Sequence, residues 1–221
     1  MQVLIIIAHP DDEVIGCGGT ICYHKLLGHH LSLVCSTNGV GSRDNVTPDQ
    51  EKERELACIN SSKLLGIENV HNLSFPDNSM DTIPFINIVK EFECIIDQYN
   101  PDIIYTHHNK DLNIDHRIVA NAVVTATRPI PKQKAPNLYS MEILSSTDWS
   151  FNDETFKPNV FVDISNVFEK KFDALKAYNT EIRQYPHSRS YGNIENLARL
   201  RGCTIGVEYA EAFQLIREIK Y

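Results

Sequence analysis

An unbroken apolar run near the start of the chain, Val3-Leu-Ile-Ile-Ile7, constrains the fold more than any other stretch. Such a run, without polar alternation, forms a strand buried on both faces, and such strands belong to parallel sheets covered by helices. The run stops at His9-Pro10, where proline removes a backbone donor and turns the chain off the sheet. Asp11, Asp12 and Glu13 follow at once, then small residues that open a helix. One imidazole and three carboxylates thus gather at the carboxyl end of the first strand. In open α/β sheets that rim is where ligands bind.

A neutral imidazole and a carboxylate three residues later can reach one divalent ion from a single turn. The mixed nitrogen and oxygen set suits zinc, with iron(II), manganese or cobalt as substitutes. Adjacent aspartates rarely both face one ion, so Asp11 and Asp12 divide the work: one ligates and the other stays free as a base. A plainer reading competes, in which the three acids cap the helix and complement its dipole.

A chain of 221 residues fits one large domain, 1–221, with a sizeable core. The formal charge of −8 argues against nucleic acid or an anionic membrane as the main partner. There is no apolar run long enough to span a bilayer and no signal-like start, so a cytoplasmic location is expected. Cys17, Cys22, Cys35, Cys58, Cys94 and Cys203 form no C-x-x-C pair, which predicts reduced core thiols.

Helices are predicted over 13–27, 49–65 and 83–99, alternating with strands over 31–36, 70–73 and 102–106. In the second helix, Leu56, Ile59, Leu64 and Leu65 fall near helical spacing. The less regular second half carries strands over 137–144 and 159–164, a helix over 166–178 and another from 193. The alternation implies right-handed βαβ units, hence an α/β fold whose mostly parallel sheet is covered by helices on both faces.

Past the fourth strand, Thr106-His107-His108-Asn-Lys-Asp111-Leu-Asn113-Ile-Asp115-His116 repeats the mixture of imidazoles and carboxylates. A helix starting near Asp115 puts His116 in its first turn, facing the crevice beside His9 and Asp12. Two strand ends with the same unusual composition are hard to explain as capping alone. Asp111, Asn113 and Asp115 also mimic the opening of a calcium loop. That loop needs glycine at its sixth position and glutamate at its twelfth, where this chain has His116 and Ala122. A dinucleotide site is disfavoured too, because Gly16, Gly18 and Gly19 lie within the helix, where they permit close packing on the sheet.

Ala8-His-Pro-Asp-Asp-Glu13 and the Asp111–His116 stretch resemble the PIG-L (LmbE-like) family of zinc-dependent de-N-acetylases. The likeness extends to Arg54 ahead of Leu65-Gly66 and to Ala210-Glu-Ala-Phe213. It implies a Rossmann-like hydrolase that removes acetyl or larger acyl groups from amino-sugar nitrogens. Carried over, His9, Asp12 and His116 hold one zinc per chain and Asp11 is the general base. Many relatives have a histidine where this chain has Asn113, and an asparagine amide donates a hydrogen bond but exchanges no proton. His107 or His108 is then a candidate for the missing imidazole, and Asp115 for orienting a neighbouring one.

The expected chemistry is amide hydrolysis, with metal-activated water, Asp11 taking its proton, and Asn113 or a histidine helping the metal stabilise the oxyanion. Arg54 reads equally as a grip on substrate and as a surface ion pair. His187 and Arg189 are weaker candidates for covering a sugar pocket, and Glu211 for reaching the site. The substrate implied is a small N-acetylated amino sugar or its nucleotide or lipid conjugate, and a homo-oligomer is compatible with the resemblance. The alternative is a non-hydrolytic nucleotide-sugar or metal-binding module using the same crevice.

Overall fold

The computed structural model describes residues 1–131, 134–150 and 155–220. In chain order the first half runs β1 (Gln2–Ile7), α1 (Asp12–Leu26), β2 (His30–Thr37), α2 (Pro48–Leu65), β3 (Asn69–Phe75), α3 (Phe85–Tyr99) and β4 (Ile103–His107). The second half adds α4 (Ile114–Ala126), β5 (Asn137–Met141), β6 (Val160–Asp163), α5 (Phe168–Lys176), α6 (Tyr191–Ile205) and β7 (Ala210–Arg217). The strands form one sheet in the order β3-β2-β1-β4-β5-β7-β6. The first five are parallel, and β7 runs antiparallel to both β5 and β6. No described helix is long and apolar enough to cross a membrane.

The order fixes where a ligand can sit. The chain builds outward from β1 to β3, then returns through α3 to place β4 on the other side of β1. The loops after β1 and β4 therefore leave the sheet from adjacent strands at its switch point, where such folds hold a crevice. Both faces of β1 are buried, as its unbroken apolar run requires. Val3, Ile5 and Ile7 pack with residues of α1, α2, α5 and α6, while Leu4 and Ile6 pack with α3 and α4.

The helix α1 lies unusually close to its neighbours. A Cβ on Gly16 would stand 2.6 Å from Met141 Sδ, and one on Gly19 would stand 2.8 Å from the Ile164 side chain. The close packing expected of these glycines is present. At Cys17 the helix breaks, with φ −147° and ψ 21°. The broken turn needs new hydrogen-bond partners. Glu211 on β7 supplies them, accepting from the Gly19 and Thr20 amides at 2.9 and 2.7 Å. Lys171 on α5 bridges Glu211 (2.7 Å) and the Ile15 carbonyl (3.0 Å). Glu211 thus braces α1 and does not reach for a ligand.

Other expectations are corrected. The buried face of α2 is Arg54, Ala57, Cys58, Ser61, Ser62 and Leu65, whereas Leu56 and Leu64 are exposed. Spacing alone does not tell an inward helix face from an outward one when both carry leucine. Cys94 and Cys203 are exposed thiols, and the other four cysteines are buried. The helix predicted over 83–99 starts at Phe85, with Pro84 just before its first turn. The strand β7 has no counterpart among the sequence expectations.

His24 on α1 is buried between His29 (Nδ1 to Nδ1, 2.8 Å) and the Tyr105 hydroxyl (2.9 Å from Nε2). Burial, helped by His29, lowers its pKa from 6.5 to about 4. Between those values the unfolded chain binds more protons than the folded one. The stability this group contributes is therefore complete above pH 6.5 and is lost as pH falls towards 4. At full extent the loss is of order 3 kcal/mol. His24→Gln is expected to flatten that limb of the stability curve in urea unfolding measured across the window. A slope equal to that of the unaltered protein would count against it.

Candidate active site

The turn between β1 and α1 is held in an uncommon backbone shape. Asp11 has φ 120° and ψ −25°, a conformation a non-glycine residue adopts only at a cost of about 1–3 kcal/mol. Glu13 holds it there by accepting the Asp11 amide at 3.0 Å. Glu13 is itself buried and accepts from the Tyr178 hydroxyl (2.7 Å) and Ser61 Oγ (3.1 Å). Burial raises its pKa to about 7. The adjacent aspartates have different partners, and helix capping does not explain either one. The side chain of Asp11 makes no capping hydrogen bond to α1.

Asp12 Oδ2 lies 3.3 Å from both His9 Nδ1 and His116 Nε2, and these two nitrogens are 3.2 Å apart. Three donor atoms from two distant stretches thus form a nearly equilateral triangle. Tetrahedral coordination at 2.0–2.1 Å sets neighbouring donors about 3.3 Å apart, so this triangle fits a zinc-sized ion. The second oxygen of Asp12 is buried with no hydrogen-bond partner.

The electrostatics point the same way. Burial alone would lower the His9 pKa, but Asp115, Asp12 and Asp77 around the ring reverse this and raise it to about 10. Burial would raise Asp12, yet His116 and His9 hold it well below the carboxylate range. The pocket thus favours positive charge between these groups. The outward nitrogens are also engaged. His9 Nε2 faces Asp115 Oδ2 and Asp77 Oδ1, each at 3.3 Å. Asp115 is fixed by the amides of Asn78 (2.7 Å) and Met80 (3.1 Å). His116 Nδ1 lies 3.2 Å from Asp111 Oδ1. Burial would raise Asp111 as well, but hydrogen bonds from His116, Ser146 and Thr147 hold it well below the usual range.

Asp11 stands beside this triangle between two cations. Its Oδ2 is 3.1 Å from Arg54 Nη2 and 3.2 Å from Arg189 Nη1, while Oδ1 is buried without a hydrogen-bond partner. Burial raises the Asp11 pKa, and the two guanidinium groups oppose that rise. Arg54 is 5% exposed, so it is no surface ion pair. It links Asp11 to Glu181, 3.0 Å from its Nη1, and lies over the Tyr178 ring at 5.3 Å. Arg189 reaches Asp11 from the connection between α5 and α6, and its Nε donates to Ser145 Oγ at 2.7 Å.

Several expected residues have other partners. Asn113 caps α4, accepting from the amides of Asp115 (2.8 Å) and His116 (3.3 Å), and its Nδ2 donates to Asn78. His107 is fully buried and stacks on His116 with ring centres 3.9 Å apart. Its Nε2 accepts the Ala8 amide at 2.8 Å, and burial lowers its pKa to about 3. His108 is also buried, edge-on to Phe156. His187 faces solvent, where its Nδ1 accepts the Arg189 amide.

Asp77, Glu181 and the pairing of Asp111 with His116 were not foreseen. Asp77 had a usable signal, since Pro76-Asp77 just beyond β3 repeats Pro10-Asp11 just beyond β1. Glu181 had none, because only tertiary contact brings it to Arg54.

The family model for PIG-L, described as GlcNAc-PI de-N-acetylase, matches residues 4–127. A probable N-acetyl-alpha-D-glucosaminyl L-malate deacetylase 2 of Bacillus cereus is 27% identical, across 81% of this chain and 83% of the relative. The fold is shared with N,N'-diacetylchitobiose deacetylase from Pyrococcus horikoshii (TM-score 0.80, 23% identity, 97% of this chain and 83% of that one). It is shared equally with GalB, a 4-carboxy-2-hydroxymuconate hydratase from Pseudomonas putida (TM-score 0.79, 20% identity, 100% and 98%). Fold alone therefore does not select the reaction.

Proposed function

This chain belongs to the PIG-L family, and from that membership we propose that it is a zinc-dependent hydrolase removing the N-acetyl group from an amino-sugar conjugate. The observation that carries the reading is the triangle of His9, Asp12 and His116 donor atoms with the unpartnered Asp11 oxygen beside it. The substrate class follows the N-acetylglucosaminyl compounds named for the family model and the Bacillus relative.

His9, Asp12 and His116 would hold the zinc. When bound there, zinc supplies Lewis-acid polarisation of the acetyl carbonyl and makes water acidic enough to attack near neutral pH. Asp11 is the base: it accepts a proton from the attacking water as the new carbon–oxygen bond forms. It returns that proton to the amine nitrogen as the carbon–nitrogen bond breaks, which releases acetate and the free amine. Asn113 and His107 take no part in this proton path, being occupied by α4 and the Ala8 amide. Arg54 and Arg189 oppose the rise that burial gives the Asp11 pKa and hold its carboxylate in one orientation. Arg189, the more exposed of the two, is the cation this reading assigns to the developing oxyanion.

The test is acetate release from a panel of N-acetylglucosaminyl conjugates (malate, inositol, chitobiose and nucleotide carriers) by protein loaded with one equivalent of zinc. Release from at least one carrier, abolished by a zinc chelator and restored by zinc, is expected. Zinc binding with no release from any carrier would favour the non-hydrolytic module.

A further inference from the structure

We propose that Asp111 is the positioning carboxylate of His116, fixing which ring nitrogen is offered to the metal. This rests on the zinc reading above and extends it to a residue that touches neither metal nor substrate. For His116 Nε2 to present a lone pair to the triangle, the ring proton must reside on Nδ1. Asp111 Oδ1 is 3.2 Å from that nitrogen and provides the acceptor that keeps it there. His9 has the mirror arrangement, with Nδ1 in the triangle and Nε2 towards Asp115 and Asp77. The two ligands therefore require opposite tautomers, and a different carboxylate stands behind each ring.

Asp111 is built to stay in place. It is fully buried, and Oδ1 accepts the Asn113 amide (2.8 Å) and the Ser146 hydroxyl. Oδ2 accepts Thr147 Oγ1 at 2.6 Å. Donors on both oxygens stop the carboxylate from rotating, so its aim at His116 is set by the loops after β4 and β5. Ser146 Oγ also lies 3.5 Å from His116 Nδ1, too far to replace the carboxylate. The competing explanation is that Asp111 merely ties these two loops together.

The experiment compares Asp111→Asn with the unaltered protein by zinc competition against a chromophoric chelator, and by the nitrogen chemical shifts of the His116 ring. Partners behind metal-bound histidines typically contribute about 10- to 100-fold in affinity, so a loss in that range is expected. The ring spectrum is expected to change from one Nδ1-protonated form to a mixture of tautomers. A purely structural tie would lower the melting temperature but leave both readouts unmoved. Zinc affinity within about threefold of the unaltered protein, with the tautomer retained, would overturn the proposal. Should the asparagine variant not fold, Asp111→Ala carries the same expectation, because it removes the acceptor without adding a mismatched amide. If the unaltered protein binds no zinc, the zinc reading falls together with this inference. If it binds zinc and the variants bind it equally, only this inference falls.

Discussion

Asp11→Asn is expected to lower kcat by about 10²- to 10⁴-fold, the usual contribution of a positioned general base. Zinc content is expected to remain near one per chain. The reason for the separation lies in the partners of the two adjacent aspartates. Asp12 faces His9 and His116, while Asp11 faces Arg54 and Arg189. An amide at position 11 cannot accept the water proton, yet it leaves the triangle of ligand atoms untouched. It also leaves two guanidinium groups short of a counter-charge, so some loss of stability accompanies the loss of rate. Acetate assays on folded, metal-analysed protein separate the two effects. Activity within about tenfold of the unaltered enzyme would remove Asp11 as the base.

His116→Ala is expected to fail at an earlier step, by not retaining metal. In structural zinc sites, apparent affinities of about 10–16 kcal/mol shared among four protein ligands give roughly 3 kcal/mol for each, and the same share is taken here for each of three. Losing one ligand then weakens binding by more than about 100-fold. The protein should emerge from dialysis against a mild chelator with little zinc, whereas Asp11→Asn keeps its full complement. His116 is also the ring on which His107 stacks and the partner that holds Asp12 and Asp111 ionised. Metal-free His116→Ala should consequently be less stable than metal-free Asp11→Asn. Full zinc retention by His116→Ala would refute its assignment as a ligand.

Much of this was written in the sequence, for a local reason. The run Val3–Ile7 can be satisfied only by burial on both faces, which fixes β1 inside a covered parallel sheet. The alternation of strands and helices then limits the topology, and unusual residues at two strand ends mark the rim. Those features depend on neighbours in the chain, so periodicity and punctuation reveal them. Leu56 and Leu64 keep helical spacing and still face solvent, because spacing does not say which face of α2 meets the sheet.

Tertiary structure alone decided the partners. Spacing from His9 and the family resemblance already separate Asp12 from Asp11, but only the tertiary structure shows Arg54 on α2 and Arg189 beyond α5 converging on one and two imidazoles on the other. Asn113 reads as a missing catalytic histidine until α4 uses it as a cap. Glu211 reads as a rim carboxylate until the break in α1 at Cys17 supplies two amides for it to accept. Asp111 becomes meaningful only when the loop after β5 clamps it behind His116. A short-range pattern determines which residues arrive at the crevice. Which of them face one another depends on contacts between segments up to 192 residues apart, and no local rule encodes those.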